Sequence, residues 1–403
     1  MTHPELRRRT DTEQRTTSLE LFYDLVLVFA ITQVSHHLLG DLTWRGAGQS
    51  ALLLLVVWWA WNYTTWVTNE LDPESPVVRL LMIALMLASL IMAVALPDAF
   101  GAEAGLFVGA YLTIQIGRHA FMTFAAAGPG TIERARAARI LVWFVAAGVF
   151  WVAGAVADGT ARTFLWIVAL AIDYGGPLAL FWVPGHHGMN VQEDAWHVGT
   201  AHFNERFGLF IIIALGESIV LTGATTSAAA LTPARISAFA IAFLTTAALW
   251  WLYFTLVARI AERRLELAPD RTRVARDAYT YLHVVFVAGI IVSAVGDEIV
   301  IAHPTEPLGG AEVAAVVAGP AIYLVAHALF RLRLTKTISA RRLGGAAGCV
   351  AVGLVAADAD ALVIAGLVLA VLFAVLLADH IVAVRRRRRG ERSPLERLEA
   401  STR

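Results

Sequence analysis

Acidic side chains stand inside apolar segments of this sequence, where an ionised group is costly unless it is paired or hydrated. Glu20 and Asp24 lie four residues apart in the segment SLELFYDLVLVF, so a helix brings both carboxylates to one face. Glu217 lies within the run LFIIIALGESIV. Carboxylates in such places bind cations, exchange protons or pair with buried arginines, and each is therefore a candidate for chemistry.

Arginine and histidine residues are expected at the same depth as Glu20 and Asp24. An arginine fork binds carboxylates through two hydrogen bonds and stays charged when buried. The sequence thus predicts a charged network near the cytoplasmic ends of the helices, which is either a packing clamp or a gate for a substrate or ion. Its predicted members are Glu20, Asp24, Arg79, Arg118, His119, His202, Glu205 and Arg206.

A second group of polar residues is expected near the middle of the membrane. Gln33 and Glu217 each lie about halfway across, at a helical rise of about 1.5 Å per residue. Asp173 is followed by Tyr-Gly-Gly-Pro, which predicts a break in its helix, and broken helices at this depth often line binding sites. The predicted members are Gln33, Asn62, Gln115, Asp173 and Glu217.

Histidines in apolar helices are candidate ligands for a metal or haem. His202 and Glu205 are three residues apart, a spacing that places both side chains on one helical face. The sequence has no His-Glu-x-x-His motif and no paired histidines in facing apolar segments. We therefore expect no metal site and no cofactor, and we read the histidines as proton relays or surface residues. Catalytic residues stay unassigned, because Ser218 and Thr222 lack the context of a hydrolase.

The elements that position these residues are apolar helices. Of 403 residues, 58% are hydrophobic and 16% are charged, against about 25% charged in average soluble domains. Runs of about 20 apolar residues, long enough to cross the hydrocarbon core, recur along the chain. The sequence predicts an all-α polytopic membrane protein with about twelve transmembrane helices. These are expected at 19–39, 49–69, 77–97, 104–126, 137–157, 163–183, 203–225, 235–257, 279–301, 312–333, 343–358 and 361–384.

The distribution of basic residues predicts the orientation of these helices. With the N-terminus in the cytoplasm, 29 of the 32 Lys and Arg residues fall on the inner side, and only Arg45, Arg162 and Arg235 fall outside. Both termini are therefore expected in the cytoplasm. The run Arg385–Arg389 predicts contact with anionic lipid headgroups. A nucleic-acid partner is not expected, because no soluble domain presents this run.

The two halves of the chain carry matching motifs in the same order. The matches pair Ala30–Gln33 with Ala214–Glu217, Trp58-Trp59 with Trp250-Trp251, Tyr111 with Tyr323, and Asp173-Tyr174 with Asp379-His380. Six helices separate each pair, so the halves are predicted to be parallel six-helix repeats. The expected division is a cytoplasmic segment at 1–18, repeats at 19–183 and 203–384, a cytoplasmic connection at 184–202 and a basic tail at 385–403.

Three long motifs follow one another along the chain, namely SLELFYDLVLVFAITQVSHHLL, WWAWNYTTWVTNELDP and HFNERFGLFIIIALGESIV. These motifs, with WWLYF at 250–254, resemble the bacterial low temperature requirement protein A family. The resemblance implies a protein of the bacterial cytoplasmic membrane that is linked by its name to growth in the cold. It implies no established reaction, substrate or cofactor.

A shorter resemblance concerns the first helix. Phe22-Tyr23-Asp24 followed by Ala30-Ile31-Thr32 is similar to the Phe-Ser-Asp motif of the lysosomal and bacterial potassium-channel family with six-helix repeats, in which this helix lines the pore. Here Tyr23 stands in place of the serine, and the second half reads Arg206-Phe207-Gly208 without an acid.

The leading functional hypothesis from the sequence is a transporter or channel for a small solute or ion that uses intramembrane carboxylates. One alternative is an intramembrane lipid-modifying enzyme with His202 and Glu205 as acid–base groups. Another alternative is a membrane sensor that transports nothing. The substrate and the oligomeric state stay open at this point.

Overall fold

The computed structural model describes residues 16–185, 199–228 and 230–391, together with Leu6 and Glu396. Within this part of the chain the regular elements are helices and no β-strand is present, which confirms the all-α prediction. The helices are α1 (Ser18–Gly40), α2 (Trp44–Thr68), α3 (Pro76–Ala95), α4 (Ala104–Phe121), α5 (Ile132–Val156), α6 (Gly159–Leu178), α7 (Thr200–Ser227), α8 (Pro233–Leu252), α9 (Ala258–Glu266), α10 (Arg271–Val274), α11 (His283–Ala302), α12 (Gly310–Thr335), α13 (Ala340–Val355) and α14 (Ala361–Arg388).

Each predicted span coincides with a helix, but the helices differ in how well they suit a membrane. Eight helical stretches in the described chain are long and apolar enough to cross one: Ser18–Gly40, Pro76–Asp98, Ile132–Val156, Thr200–Ser227, Pro233–Glu266, Arg271–Ala302, Gly310–Thr335 and Ala361–Arg388. Helices α2, α4, α6 and α13 fall short of that standard. Helix α13 has 16 residues, which rise only about 24 Å. The chain is a multi-pass membrane protein, and the count of twelve crossings stays a prediction.

Helix α3 exposes an apolar stripe along one side. On α3, Leu80, Leu87 and Val94 are 67%, 60% and 62% exposed, and they recur every seven residues. The opposite side of the same helix buries Met82, Met92 and Ser89. A wholly apolar exposed stripe is unfavourable in water but suits hydrocarbon. Helix α3 therefore has an apolar exposed face and buries the Ser89 hydroxyl on the opposite face, a pattern that suits a helix in a membrane bundle.

Local sequence signals begin several of the helices. Thr131 and Thr232 precede α5 and α8, and their hydroxyls accept hydrogen bonds from the third N–H groups of those helices at 3.3 and 3.2 Å. Helices α3 and α8 start with a proline, whose missing N–H is not needed there. Before α12, the Glu312 carboxylate accepts from the Gly309 N–H at 2.7 Å. These signals fix where each of these helices begins.

Helix α6 ends next to Pro177. The predicted break after Asp173 is therefore the end of the helix and not an interruption within it. The helix continues through Pro177 and stops at Leu178, so the proline marks its end rather than an interruption. Leu180 and Phe181 then adopt left-handed backbone angles, with φ of 52° and 50°. The prediction that this span continues to residue 183 was therefore wrong by about one helical turn.

Three short π-helical segments interrupt the helices. They lie at Met122–Ala126 after α4, at Tyr253–Val257 between α8 and α9, and at Ala275–Thr280 after α10. A π-turn inserts one residue into the helical repeat and is frequent at functional sites. The sequence pattern gave no sign of these segments.

The chain divides into two units. Unit 1 consists of residues 1–37 and 48–206, and unit 2 consists of residues 38–47 and 207–403. In unit 1, helices α3 to α6 pack on one another in chain order. In unit 2, α12 packs on α11 and α13, and α14 packs on α13 and α8. A Cβ on Gly319 of α12 would lie 2.3 Å from the Ser293 nitrogen of α11, so these two helices meet backbone to backbone.

Candidate functional site

Two charged pairs join α1 to the first turns of α7 inside unit 1. The Glu20 carboxylate lies 3.0 Å from His202 Nε2, and the Asp24 carboxylate accepts a hydrogen bond from Arg206 Nη2 at 2.8 Å. The side chains of all four residues are at most 1% exposed. Each helix contributes two residues spaced by four, so the pairs stack one turn apart. The order of the pairs makes α1 and the start of α7 run in the same direction.

The Asp24–Arg206 pair is only partly satisfied. Asp24 Oδ1 also accepts from Trp61 Nε1 at 2.7 Å, and Arg206 Nη2 lies 3.4 Å from Thr65 Oγ1. Asp24 Oδ2, Arg206 Nε and Arg206 Nη1 have no hydrogen-bond partner among the described residues. Arginine and carboxylate in a static clamp normally form two parallel hydrogen bonds. The single bond here leaves polar atoms of both ions available to other groups.

Arg118 on α4 is fully buried among neutral partners in the described chain. Its Nη1 donates to the Ala60 carbonyl at 3.2 Å and to Thr64 Oγ1 at 2.7 Å, and its Nη2 donates to Gln115 Oε1. The guanidinium carbon also lies 5.6 Å from the centre of the Tyr63 ring. Tyr63 supplies a cation–π contact in place of a carboxylate.

A directed chain of hydrogen bonds runs from Arg118 to Asp173. Gln115 Nε2 donates to the Tyr111 hydroxyl at 3.0 Å, and that hydroxyl donates to Asp173 Oδ2 at 2.7 Å. Trp151 Nε1 donates to the same carboxylate oxygen at 3.0 Å. Every donor in the chain points away from the arginine and toward the acid. Such alignment strengthens each bond, because neighbouring dipoles polarise one another.

Two residues predicted for the charged network lie outside the buried group. Arg79 is exposed and pairs with Glu74 at 2.6 Å, where both side chains are at least half exposed. Glu205 is also exposed and accepts a hydrogen bond from the Thr16 N–H at 3.0 Å. The expected partnership of His202 with Glu205 is therefore absent, since the buried His202 faces Glu20 instead. Glu205 therefore lies on a different face of α7 from His202.

The remaining predicted residues take different positions. His119 is buried, with Nδ1 3.0 Å from the Gln115 carbonyl oxygen. Asn62 is 1% exposed, whereas Gln33 and Glu217 are half-buried in their helices. Among the predicted midplane residues, Gln115 and Asp173 are brought together, with Tyr111 between them. The other histidines of the cytoplasmic connection, His186, His187 and His197, lie outside the described residues.

Sequence reasoning missed several of the residues that complete these contacts. Trp61, Tyr111 and Trp151 supply neutral donors to the two buried acids. A further buried pair joins Glu70 after α2 to Arg136 in α5, with side chains 3% and 7% exposed. From the sequence, Arg136 is predicted only as one of the basic residues on the cytoplasmic side. A buried tyrosine or tryptophan needs a polar partner, and this was the available signal.

Unit 2 holds a cluster of buried aromatic rings around two histidines. His283 Nε2 lies 2.7 Å from the Tyr253 hydroxyl, and the Tyr279 ring stacks on the imidazole at 4.9 Å. His327 packs against Phe286, and neither of its ring nitrogens has a hydrogen-bond partner among the described residues. Tyr253 and Tyr279 lie in two of the π-helical segments, which aim their rings into this cluster.

Within the described chain no group of three or more histidine, cysteine or acidic residues forms a metal site.

The comparisons with known proteins agree with the motifs of α1, α2 and α7. The bacterial low temperature requirement A protein family matches residues 15–377. The chain belongs to this family. An uncharacterised protein of Rhizobium meliloti (strain 1021) is 35% identical over 337 residues, which cover 83% of this chain and 82% of the relative. No solved structure matches the chain. The matched region contains the Glu20–His202 and Asp24–Arg206 pairs, and it also contains Arg118 and Asp173.

Proposed function

We propose that this low temperature requirement A protein is a proton-coupled transporter or channel for a small solute or ion in the bacterial cytoplasmic membrane. The observation that carries the proposal is the partly satisfied Asp24–Arg206 pair. Both side chains are 0% exposed, yet three of their polar atoms lack a hydrogen-bond partner among the described residues. An ion pair in hydrocarbon is retained at a cost, which function explains better than stability.

The neighbouring Glu20–His202 pair supplies a group for proton exchange. The His202 imidazole and the Glu20 carboxylate lie 3.0 Å apart, and each of the two groups can hold a proton. Protonation in this pair changes the charge one helical turn from Asp24. Coupling then consists of a change in the strength of the Asp24–Arg206 bond, which holds α7 to α1.

A surface cleft supports access to these pairs from one end of the helices. The cleft has a volume of about 450 Å³, and Thr17, Phe22, Glu74 and Arg79 are among its lining residues. Thr17 donates through Oγ1 to the Glu20 carboxylate at 2.8 Å. The polar path thus runs from the cleft through Thr17 to Glu20. The exposed Glu74 and Arg79 line the cleft and take no part in the buried pairs.

The parallel direction of α1 and the start of α7 supports the six-plus-six repeat that we propose for the whole chain. In this arrangement α7 occupies in the second half the position of α1 in the first, and both termini lie in the cytoplasm. Asp24 and Glu217 are the acids of α1 and α7 that lie deepest from the cytoplasmic side.

The first experiment measures transport by the purified protein in liposomes. Outward and inward gradients of K⁺, Na⁺ and Cl⁻ are imposed, and a pH-sensitive dye in the lumen records coupled proton movement. We expect Asp24→Asn and Arg206→Gln to reduce flux by at least tenfold while the protein still inserts. Arg273→Gln, which removes the same charge at an exposed position outside the cleft, is the matched control and should keep wild-type flux. Equal flux from all four proteins contradicts the role assigned to the pair.

Glu217 is tested in the same liposomes. We expect Glu217→Gln to abolish proton coupling, because the amide cannot carry the exchanged charge. Glu205→Gln on the same helix makes the identical change at an exposed position and should leave coupling intact. Unaltered coupling in Glu217→Gln removes this residue from the proposal.

The second experiment asks whether water reaches the pair. Cys349 is the single cysteine of the chain, so Cys349→Ala gives a background without thiols. In that background Thr65→Cys places a thiol beside Arg206, and Leu53→Cys places one at a fully buried apolar position of the same helix. A hydrated pathway predicts modification of position 65 by a membrane-impermeant thiol reagent and protection of position 53. Protection at both positions indicates a dry interior and rejects transport through this pair.

A further inference from the structure

Two arginines at the start of α13 pair with one carboxylate of α14 in unit 2. Arg341 Nε donates to Asp379 Oδ1 at 2.6 Å, and Arg342 Nη1 lies 2.6 Å from Asp379 Oδ2. Arg331 of α12 lies within electrostatic range of both, of Arg386 on α14 and of Asp379. We call these five residues the Asp379 cluster. It forms where α12 ends, α13 begins and α14 leaves its apolar stretch.

The charges of the Asp379 cluster do not balance. The cluster holds four guanidinium groups and one carboxylate, and both oxygens of that carboxylate already lie against Arg341 and Arg342. Arg331 donates from Nε to Thr337 Oγ1 at 3.1 Å, which holds the side chain without neutralising it. Like charges held this close repel one another unless an anion lies between them. The cluster therefore presents an excess of about three positive charges in one place.

The cluster is both fixed and accessible. Arg342 is 11% exposed and Arg341 37%, and Asp379 holds both in place. Arg331 is exposed, and Arg386 is half-buried. A partly exposed group of fixed arginines matches the planar, bidentate recognition of phosphate oxygens.

Helical geometry separates the cluster from the rest of the basic run on α14. Arg386 follows Asp379 by seven residues, which is close to two full turns, so both face the same side. Arg388 follows Asp379 by nine residues and lies on the opposite side of the helix. The run Arg385–Arg389 is therefore not a uniform patch, because only part of it meets α12 and α13.

We propose that the Asp379 cluster binds the phosphate of an anionic phospholipid headgroup. Basic pockets between helices at the membrane surface hold such headgroups, and each arginine near an anionic surface adds a favourable contribution. The apolar faces of α12 and α14 that lead away from the cluster accommodate the acyl chains. The proposal is independent of the transport function, since none of the cluster residues takes part in the charged pairs of unit 1.

The experiment titrates the full-length protein in detergent with dioleoylphosphatidylglycerol and measures bound lipid by native mass spectrometry. We expect saturable binding, and a Kd weakened about fivefold by Arg386→Gln, the ratio that corresponds to about 1 kcal/mol for one arginine. Arg388→Gln removes the same charge from the same helix and should change Kd less than twofold. Arg331→Gln on α12 should repeat the fivefold loss, so the result does not depend on one variant.

Several outcomes overturn the proposal. Equal weakening by Arg386→Gln and Arg388→Gln means that the lipid responds to diffuse surface charge and not to a site. Equal binding of dioleoylphosphatidylcholine excludes recognition of the anionic headgroup. Binding of inorganic phosphate alone with the same dependence on Arg386, and no gain from the lipid, assigns the site to a free anion. Size-exclusion profiles and melting temperatures in phosphatidylcholine check that each variant is folded.

Discussion

Tyr111 and Tyr323 are paired by the proposed repeat, but their hydroxyls have different acceptors. Tyr111 donates to the Asp173 carboxylate at 2.7 Å, and Tyr323 donates to the Leu249 backbone carbonyl at 3.0 Å. Both side chains are 0% exposed. Replacement of each tyrosine by phenylalanine removes one hydroxyl from a buried ring and leaves the ring itself in place. The two variants therefore compare a charged acceptor with a neutral one.

The expected losses of stability follow from the partners of each hydroxyl. A hydrogen bond to a charged acceptor contributes about 1.5–3 kcal/mol, and a neutral one contributes about 0.5–1.5 kcal/mol. Tyr111→Phe also removes the acceptor of Gln115 Nε2, which adds about 1 kcal/mol for the buried amide. We therefore expect Tyr111→Phe to lower the free energy of unfolding by about 2.5–4 kcal/mol, and Tyr323→Phe by about 1 kcal/mol.

The assay is reversible unfolding in mixed micelles with increasing sodium dodecyl sulfate, followed by circular dichroism and tryptophan fluorescence. A double-mutant cycle with Asp173→Asn isolates the interaction between the hydroxyl and the carboxylate. We expect a coupling energy of about 1–2 kcal/mol, because the amide keeps an acceptor but loses the charge. Equal losses from the two phenylalanine variants, together with zero coupling, refute the view that Asp173 is an ionised acceptor at the end of a polarised chain.

Two further stability predictions use matched pairs in the same assay. Gly319→Ala should destabilise the protein by about 1–3 kcal/mol because its Cβ meets the α11 backbone, while Gly310→Ala, with open space around it, should cost nothing; equal effects would argue against the close helix contact. Glu70→Gln should cost about 3–5 kcal/mol because it breaks the buried ion pair with Arg136, whereas the exposed Glu74→Gln should stay within about 0.5 kcal/mol. A small loss in Glu70→Gln would mean that this ion pair contributes little to stability.

The sequence was sufficient to place the helices along the chain, because an apolar run of given length has few ways to be satisfied in a membrane. It was less informative about which charged residues become buried. Arg79 is the fourth residue of α3, close enough to the helix start for its long side chain to reach the surface. Arg206 is the seventh residue of α7, and it is fully buried against Asp24. Depth along the helix does not decide burial in general, because His202, the third residue of α7, is fully buried, whereas Glu205, the sixth, is exposed. The face of the helix on which a residue lies decides it.

The partners of the buried acids could not be predicted from the sequence. Trp61 lies 37 residues from Asp24, and Tyr111 lies 62 residues from Asp173. Such contacts depend on the rotation of each helix about its axis, which the hydropathy of a nearly uniform apolar segment does not fix. The π-helical turns add to the difficulty, since each shifts the faces of the residues that follow it. The predicted repeats limit which helices can be neighbours, but they do not determine the rotation of each helix about its axis.

The arginines of this chain differ in their partners, and that difference decides which of them are worth testing for transport. Two of the three expected on the outer side bind backbone carbonyls, as Arg162 donates to Gly101 at 2.9 Å and Arg235 to Ile301 at 3.2 Å. Their hydrogen bonds account for their position without any role in transport. Arg118 and Arg206 are buried and keep guanidinium nitrogens without partners in the described chain. These two arginines are therefore the ones to test for the proposed transport, because a solute or proton could bond to their unpartnered atoms without first displacing a protein group.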